Sequence, residues 1–375
     1  MKTRISLMLL VAVSLVGCID RGKDGELPMY TYDKQVEYPL QDIPPYKKVE
    51  MIPLETSDTV LLDGFKSMKV AKDFIAVCAG NKLLLFNWDG SFIAQVGSKG
   101  QGPGEYLTIG AYYLDEKNKR IGIIDPGTGM MCLTYDYSGK YVASRQLPME
   151  QIGIVEDACL LDDGSLLMGR SCSYIILKSF ALTHVDGEVV TDMLPYSPLM
   201  PIVNAFWHNI SCQGTDIHVL MPFNDTIFSF SKQGVEPSFT IEIPGEMVTI
   251  GDNMQDQLSK GRFNGFSDLF ETNDHLLLNY RYQGVIAAFF LADKHSKEGK
   301  YYLHTFSPPA ERVPFFSRVV QVYKDRFICC VSPQTLFTIR ELLMEDSKDE
   351  SLQQLIKLID GLKEDDNPVL FLYTF

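Results

Sequence analysis

Positive charge is in short supply in this 375-residue sequence: 34 Lys and Arg face 48 Asp and Glu, for a formal net charge of −14. No basic run offsets the deficit locally. Affinity for nucleic acid comes largely from Lys and Arg neutralising phosphates, so the composition argues against a nucleic-acid partner. Histidine is sparse as well. The six, at 184, 208, 218, 275, 295 and 304, show no His-Glu-x-x-His and no paired spacing, so no zinc site is signalled locally. A Gly-x-Ser-x-Gly elbow is missing, and the carboxylates are spread over turns with no pair whose separation can be inferred. Neither a serine hydrolase nor a glycosidase is indicated. Cysteine adds little: beyond Cys18 there are seven at irregular intervals, and the adjacent Cys329 and Cys330 would point to opposite faces of a strand. They read as small core residues in strands, with a disulfide somewhere among them as the alternative.

What is present begins at the first residue. Lys2 and Arg4 precede an apolar or small-residue stretch from Ile5 to Gly17, too short to span a bilayer as a mature helix, and residues 1–17 read as a signal peptide. Leu15-Val16-Gly17-Cys18 resembles the bacterial lipobox, which makes Cys18 the lipidated residue and the membrane a partner through that lipid. Each buried acyl methylene contributes ~0.8 kcal/mol, so more than one chain anchors stably. Residues 18–45 are polar, punctuated by Gly and Pro, and without helical or strand period, so they read as a tether holding residues 46–375 off the bilayer. The expected address is the bacterial cell envelope, at the outer membrane, facing either side.

From there a hairpin recurs with turn glycines at Gly90, Gly139, Gly187 and Gly234, at intervals of about 49, 48 and 47 residues. Each unit is an apolar strand, a short polar turn closed by glycine, and another strand. Such a unit cannot bury its own faces, and stacking copies around an axis makes a core. A further strand precedes each hairpin: Phe74 to Cys78, Arg120 to Asp125, Ser165 to Arg170, Asp216 to Pro222, His275 to Arg281 and Arg326 to Ser332. The fifth unit is stretched by a charged hairpin tip, Asp293 to Lys300, with Gly299 as its glycine. In the sixth, Leu336-Phe337-Thr338-Ile339 is followed by Leu352, Leu355, Ile356, Ile359 and Leu362 at helical spacing. The expected fold is therefore all-β, a six-bladed β-propeller with a short helical insert in the last blade. Strands run short after Ile339, so Lys47 to Leu54 is expected to complete that blade beside Val369 to Tyr373.

Val96-Gly97-Ser98-Lys99-Gly100-Gln101-Gly102-Pro103-Gly104-Glu105-Tyr106, following Asp89-Gly90-Ser91-Phe92-Ile93, resembles the six-bladed β-propeller lipoproteins of Bacteroidetes, a family related in fold to NHL-repeat and TolB-like propellers. Leu54-Glu55-Thr56, Asn224-Asp225-Thr226-Ile227-Phe228 and Asn367-Pro368-Val369-Leu370 match the same pattern. The resemblance runs from about Lys47 to Phe375; long polar inserts in the fifth and sixth units and a weak third unit depart from it. It implies architecture and envelope location and names no ligand.

The glycine-rich stretch has no Lys-Ser/Thr and no following helix, so it is not a phosphate cradle. As a crossover between blades it uses glycines for positive φ and Pro103 to fix the turn. That crossover lies on the face where propellers bind ligands, which makes Lys99, Gln101, Glu105 and Tyr106 candidate ligand-binding residues. Trp207 and His208 join them, an aromatic and polar pair at the entrance of the fourth unit that can stack on a sugar. The Ser-x-Asp-x-Gly-x-Thr-Trp box of sialidase propellers is absent. No catalytic residue or metal ligand is assigned and no cofactor is expected, calcium being the ion that Asp and Asn at the turns would suit. The reading is a non-catalytic, lipid-anchored module binding a glycan, peptide or protein of the envelope. The alternative is a metal-assisted hydrolase or lactonase with its active site in the central channel. Cys18→Ala is expected to leave uncleaved or soluble protein, and normal detergent-phase partitioning of that variant would refute lipidation at Cys18.

Overall fold

The computed structural model describes residues 26–375 except 149–154, 171–177, 184–188, 196–207, 214–215, 222–223, 232–233, 249–255, 257–259, 261, 264, 284–285, 305–310 and 315–318. Cys18, Gly187 and Trp207 fall outside the described residues. The chain forms a β-propeller of four-stranded antiparallel sheets. Blade 1 comprises Phe65–Val70, Ile75–Ala79, Lys82–Phe86 and Phe92–Gln95, and blade 2 Ala111–Asp115, Arg120–Asp125, Met131–Asp136 and Tyr141–Gln146. Blade 3 is Val155–Leu160, Leu166–Arg170, Lys178–Thr183 and Val189–Pro195, and blade 4 Ile210–Gln213, Asp216–Leu220, Thr226–Ser231 and Gly234–Ile241. Blade 5 is Phe266–Glu271, His275–Tyr282, Ile286–Asp293 and Glu298–Leu303. Blade 6 takes Val319–Tyr323, Arg326–Val331 and Val369–Thr374 from the end of the chain and Lys48–Pro53 from its beginning.

In blade 1 the second and third strands are covered on both faces and read as nearly unbroken apolar runs, Ile75–Ala79 and Lys82–Phe86. In blade 1, Ile75, Val77, Leu84 and Phe86 pack toward blade 6, while Ala76, Cys78, Leu83 and Leu85 pack toward blade 2. At ~1.5–3 kcal/mol for each large apolar side chain, such interfaces are the main favourable term. The recurring glycines do more than turn the chain. Gly90 and Gly139 have φ of +90° and +80°, and a Cβ on either would come 2.1 Å from a carbonyl oxygen, that of Pro53 or of Gln95. Both carbonyls belong to the outer strand of the preceding blade. Gly90 and Gly139 also accept from Glu55 N and Gly97 N at 2.9 and 3.0 Å, so the hairpin tip of each blade is stitched to the exit of its predecessor.

The ring closes as expected, with Lys48 opposite Thr374 through Pro53 opposite Val369. Asn367 secures the approach. Its Oδ1 accepts from Leu62 N at 2.8 Å, and its Nδ2 donates to Glu55 O at 2.6 Å and Val60 O at 2.7 Å. Across the same seam Trp88 stacks on Tyr323 at 4.2 Å and Gln321 Nε2 donates to Met68 O at 2.9 Å.

Three expectations are corrected. The tether assigned to residues 18–45 contains a strand, Met29–Tyr32, which pairs in parallel with Thr240–Ile241 of blade 4 and with Glu298–Gly299 of blade 5. Its two tyrosines find ring partners in Phe239 and Tyr301, burial that four residues without a turn partner do not advertise. Gly299 lies inside an outer strand rather than at a turn; the left-handed residue of that tip is Lys297, φ 58°. A Cβ at Gly299 would meet Phe290 at 2.3 Å, so close packing selects the glycine. Leu336–Ile339 is helical, because Ser332 caps and Pro333 starts helix α1, Pro333–Arg340. Helix α2, Glu350–Gly361, follows, capped by Asp349, and buries Leu352, Leu355, Ile356 and Ile359 against Phe327 and Phe371 of blade 6.

Asn367→Ala leaves Leu62 N, Glu55 O and Val60 O without their partner, at ~1–3 kcal/mol for each buried group left unpaired. The expected outcome is a loss of several kcal/mol in urea unfolding; an unchanged midpoint would remove Asn367 from the closure.

Candidate functional site

The first strand of every blade lines the axis, and four of them carry a shift of register near their start. The shifts fall between Phe65 and Ser67, Val155 and Asp157, Phe266 and Asp268, and Val319 and Gln321. A bulge re-aims the side chains beside it, and four at one end of the channel gather polar residues there. The channel is divided in two by a layer of Lys69, Asp157, His208 and Phe270, one group each from blades 1, 3 and 5 and one from the residue pair preceding blade 4. These four residues line both a mouth cavity of about 240 Å³ or a floor cavity of about 260 Å³ on either side of the layer. The mouth is framed by Phe65, Lys66, Glu156, Asp268, Val319 and Val320, and the floor by Glu271, Gln321, Cys159 and Cys212 among others. The last two form a disulfide joining blades 3 and 4.

Within the layer Lys69 Nζ lies 2.8 Å from Asp157 Oδ1, and His208 Nδ1 lies 3.4 Å from Oδ2. His208 stacks on Phe270 at 4.6 Å and bridges to Asp268 through the backbone, its carbonyl accepting from Leu269 N at 2.9 Å. Burial alone would raise the Asp157 carboxyl; the Lys69 ammonium, followed by His208, outweighs it and holds the group at about 2. Lys66 spends its ammonium on the carbonyls of Ile109 and Gly110, where the blade 1 to blade 2 crossover arrives at the mouth.

Toward the floor a second buried carboxylate, Glu271, is held by His218 Nδ1 at 2.8 Å and Lys294 Nζ at 3.0 Å, and His218 Nε2 meets Ser238 Oγ at 3.3 Å. Burial opposes ionisation of Glu271, and His218 with Lys294 overcomes it, keeping the group below the usual Glu range. Ser238, His218 and Glu271 stand in the order of a general-base relay. Lys294 shares the carboxylate at 3.0 Å, so the set joins blades 4 and 5 as a charged clamp.

Among the described residues singled out from sequence, His208 alone sits in the channel, and it is partly buried together with buried Asn209 rather than exposed. Lys99 and Gln101 are exposed on the crossover. Glu105 turns inward, its Oε2 accepting from Gly102 N at 2.8 Å, and a Cβ at Gly100 would collide with it at 2.0 Å. Tyr106 is fully buried, its hydroxyl donating to Val96 O at 3.3 Å, and is a core residue. Sequence reasoning missed Lys69, Asp157, Asp268 and Phe270. The available signal was an aspartate inside each of two apolar inner strands, Val-Glu-Asp-Ala-Cys-Leu and Phe-Ser-Asp-Leu-Phe-Glu. Among the described residues no group of three or more His, Cys, Asp or Glu side chains is placed to hold a metal ion.

The fold recurs in a solved protein of Bacteroides fragilis described as exported, which is 17% identical, with a TM-score of 0.71 over 92% of this chain and 99% of the other. YCF48 bound to D1 peptide is a more distant neighbour, 11% identical, with a TM-score of 0.47 over 91% of this chain and 100% of the other. No curated protein matches the sequence. The match that covers nearly the whole propeller is to a domain of unknown function, DUF4934, over residues 27–374, and the chain belongs to that family.

Proposed function

We propose that the protein is a lipid-anchored module of the bacterial cell envelope that binds a glycan, peptide or protein group at the mouth of its channel without converting it. The observation that carries this reading is the state of Asp157. A general acid or base works best with a pKa near the operating pH; this carboxyl is held at about 2 and is already committed to Lys69 at 2.8 Å. Such a carboxylate orients a ligand and does not shuttle protons. The bulged strands around it present Glu156, Asp268 and Val320 on a rigid frame, which suits recognition. The signal-peptide profile and the Leu-Val-Gly-Cys ending support an envelope address through lipid on Cys18. The exported neighbour of the same fold is in keeping with that address.

Two measurements test this. Envelope glycans and peptides offered to the detergent-solubilised full-length protein should be retained and released chemically unchanged, and Val320→Phe, which fills the mouth, should abolish retention; conversion of a retained component overturns the binding role. Stability tests the charged layer. A carboxyl whose folded pKa is depressed contributes stability that is complete above its unfolded pKa of about 4 and is lost as pH falls toward 2. Lys69→Ala should therefore cost about 3 kcal/mol in urea unfolding at pH 7, and the gap to wild type should shrink below about pH 3. A gap that does not change with pH would show that Lys69 acts through packing alone.

A further inference from the structure

We infer that the rim shared by blades 4 and 5, where Met29–Tyr32 is paired on both sides, is the surface the protein presents to the lipid bilayer, and that the rim of blades 1 and 2 faces away from it. The inference rests on the reading that Cys18 carries the lipid, and it says which side of the propeller that lipid holds down.

The leash is short because Met29–Tyr32 is fixed to the propeller. Pro28 O and Tyr30 O accept from Thr240 N and Glu242 N, and Thr31 N donates to Lys297 O, each at 2.9 Å. Tyr30 is buried against Phe239, with ring centroids 5.0 Å apart, and Tyr32 meets Tyr301 at 5.3 Å. Lys34 pairs with Glu242 just beyond. Only the stretch from Cys18 to Met29 separates the anchor from this fixed point. About eleven residue steps of at most ~3.6 Å reach ~40 Å, whatever conformation they adopt. Had the chain been unpaired up to Pro45, the same limit would be ~100 Å.

That difference decides the orientation. A compact chain of about 350 residues has a radius of gyration of ~20 Å and is ~50 Å across. In a ring of six blades the boundary between blades 1 and 2 lies opposite the boundary between blades 4 and 5. Resting on the blade 1 and 2 rim would lift Met29 ~50 Å from the bilayer, further than the leash reaches. The blade 4 and 5 rim meets no such limit. Its surface also suits the contact: Met29 and Val36, in the strand and in the loop that follows it, are 50% and 41% exposed. Two apolar side chains at the acyl boundary would not hold a free protein there. Anchoring raises their effective concentration to roughly the mM range, at which so weak a contact is populated.

The test places a photo-cross-linking benzophenone residue at one position at a time in the full-length, lipid-modified protein, bound to vesicles of phosphatidylethanolamine with a minor fraction of phosphatidylglycerol. Met29 and Val36 report the near rim, and Ile93 of blade 1 and Val142 of blade 2, 39% and 46% exposed, report the far rim at matched exposure. After irradiation, lipid adducts counted by mass spectrometry should be about fivefold more frequent at 29 and 36 than at 93 and 142. Should the change at Met29 loosen its strand, Val36 still decides, because it lies outside the paired residues. Equal adducts on the two rims, more on the far rim, or none at any of the four positions in protein that floats with the vesicles overturns the orientation and leaves lipidation standing. Protein that carries no acyl mass on Cys18 and fails to float overturns the lipidation reading, and this inference falls with it.

Discussion

A four-stranded sheet with two apolar faces has no stable place in water on its own, so each blade depends on both neighbours and the whole structure depends on the ring being closed. Closure is made by backbone pairing between segments from opposite ends of the chain, Lys48–Pro53 and Val369–Thr374. The cost of bringing such distant segments together must be met before any of the seam's contacts exist. Polar anchors cluster there accordingly: Asn367 reaches three backbone groups of the 55–62 loop, and Arg326 pairs with Glu50 at 2.8 Å. The Trp88 and Tyr323 stack adds apolar area on the same seam.

Closure leaves the outer edges of the blades unsolved, since every outermost strand presents unpaired backbone to solvent. Blades 4 and 5 are treated together. Met29–Tyr32 enters between their outer strands and pairs in parallel with both, fusing the two sheets into one of nine strands. His218, Glu271 and Lys294 bind the same two blades from within. This part of the ring is therefore held at its rim by backbone and nearer the axis by buried charge, which fixes the inner strand of blade 5 that carries Asp268 and Phe270 and the approach to blade 4 that carries His208.

The architecture was legible from residues whose chemistry is local. Turn glycines such as Gly90 and Gly139, the helical spacing of Leu352 to Leu362, and the surplus strand at Lys47 to Leu54 each follow from periodicity or from counting strands. What escaped depends on partners far along the chain. The tyrosines of Met29–Tyr32 have no meaning without Phe239 and Tyr301, and Gly299 mimics a turn glycine while serving Phe290. The site is the extreme case, because Lys69 and Asp157 come from different blades and the bulges that aim them insert single residues that no alternation pattern reveals. His208 was singled out for a sugar-stacking role; its ring instead stacks on Phe270 within the channel. Tyr106 was singled out on a loop that turned out to bury it.

Stability gives no reason for the charged layer. Replacing a buried ion pair by packed apolar residues is often neutral or stabilising, so stability alone does not call for Lys69 and Asp157 at the axis. A charged layer that divides the channel must then be weighed by what it does to the two cavities it separates. It buries an ionised carboxylate between them, with Oδ1 2.8 Å from Lys69 Nζ and Oδ2 3.4 Å from His208 Nδ1. Register shifts in four of the surrounding strands add polar groups at the same level, which a purely structural axis has no use for.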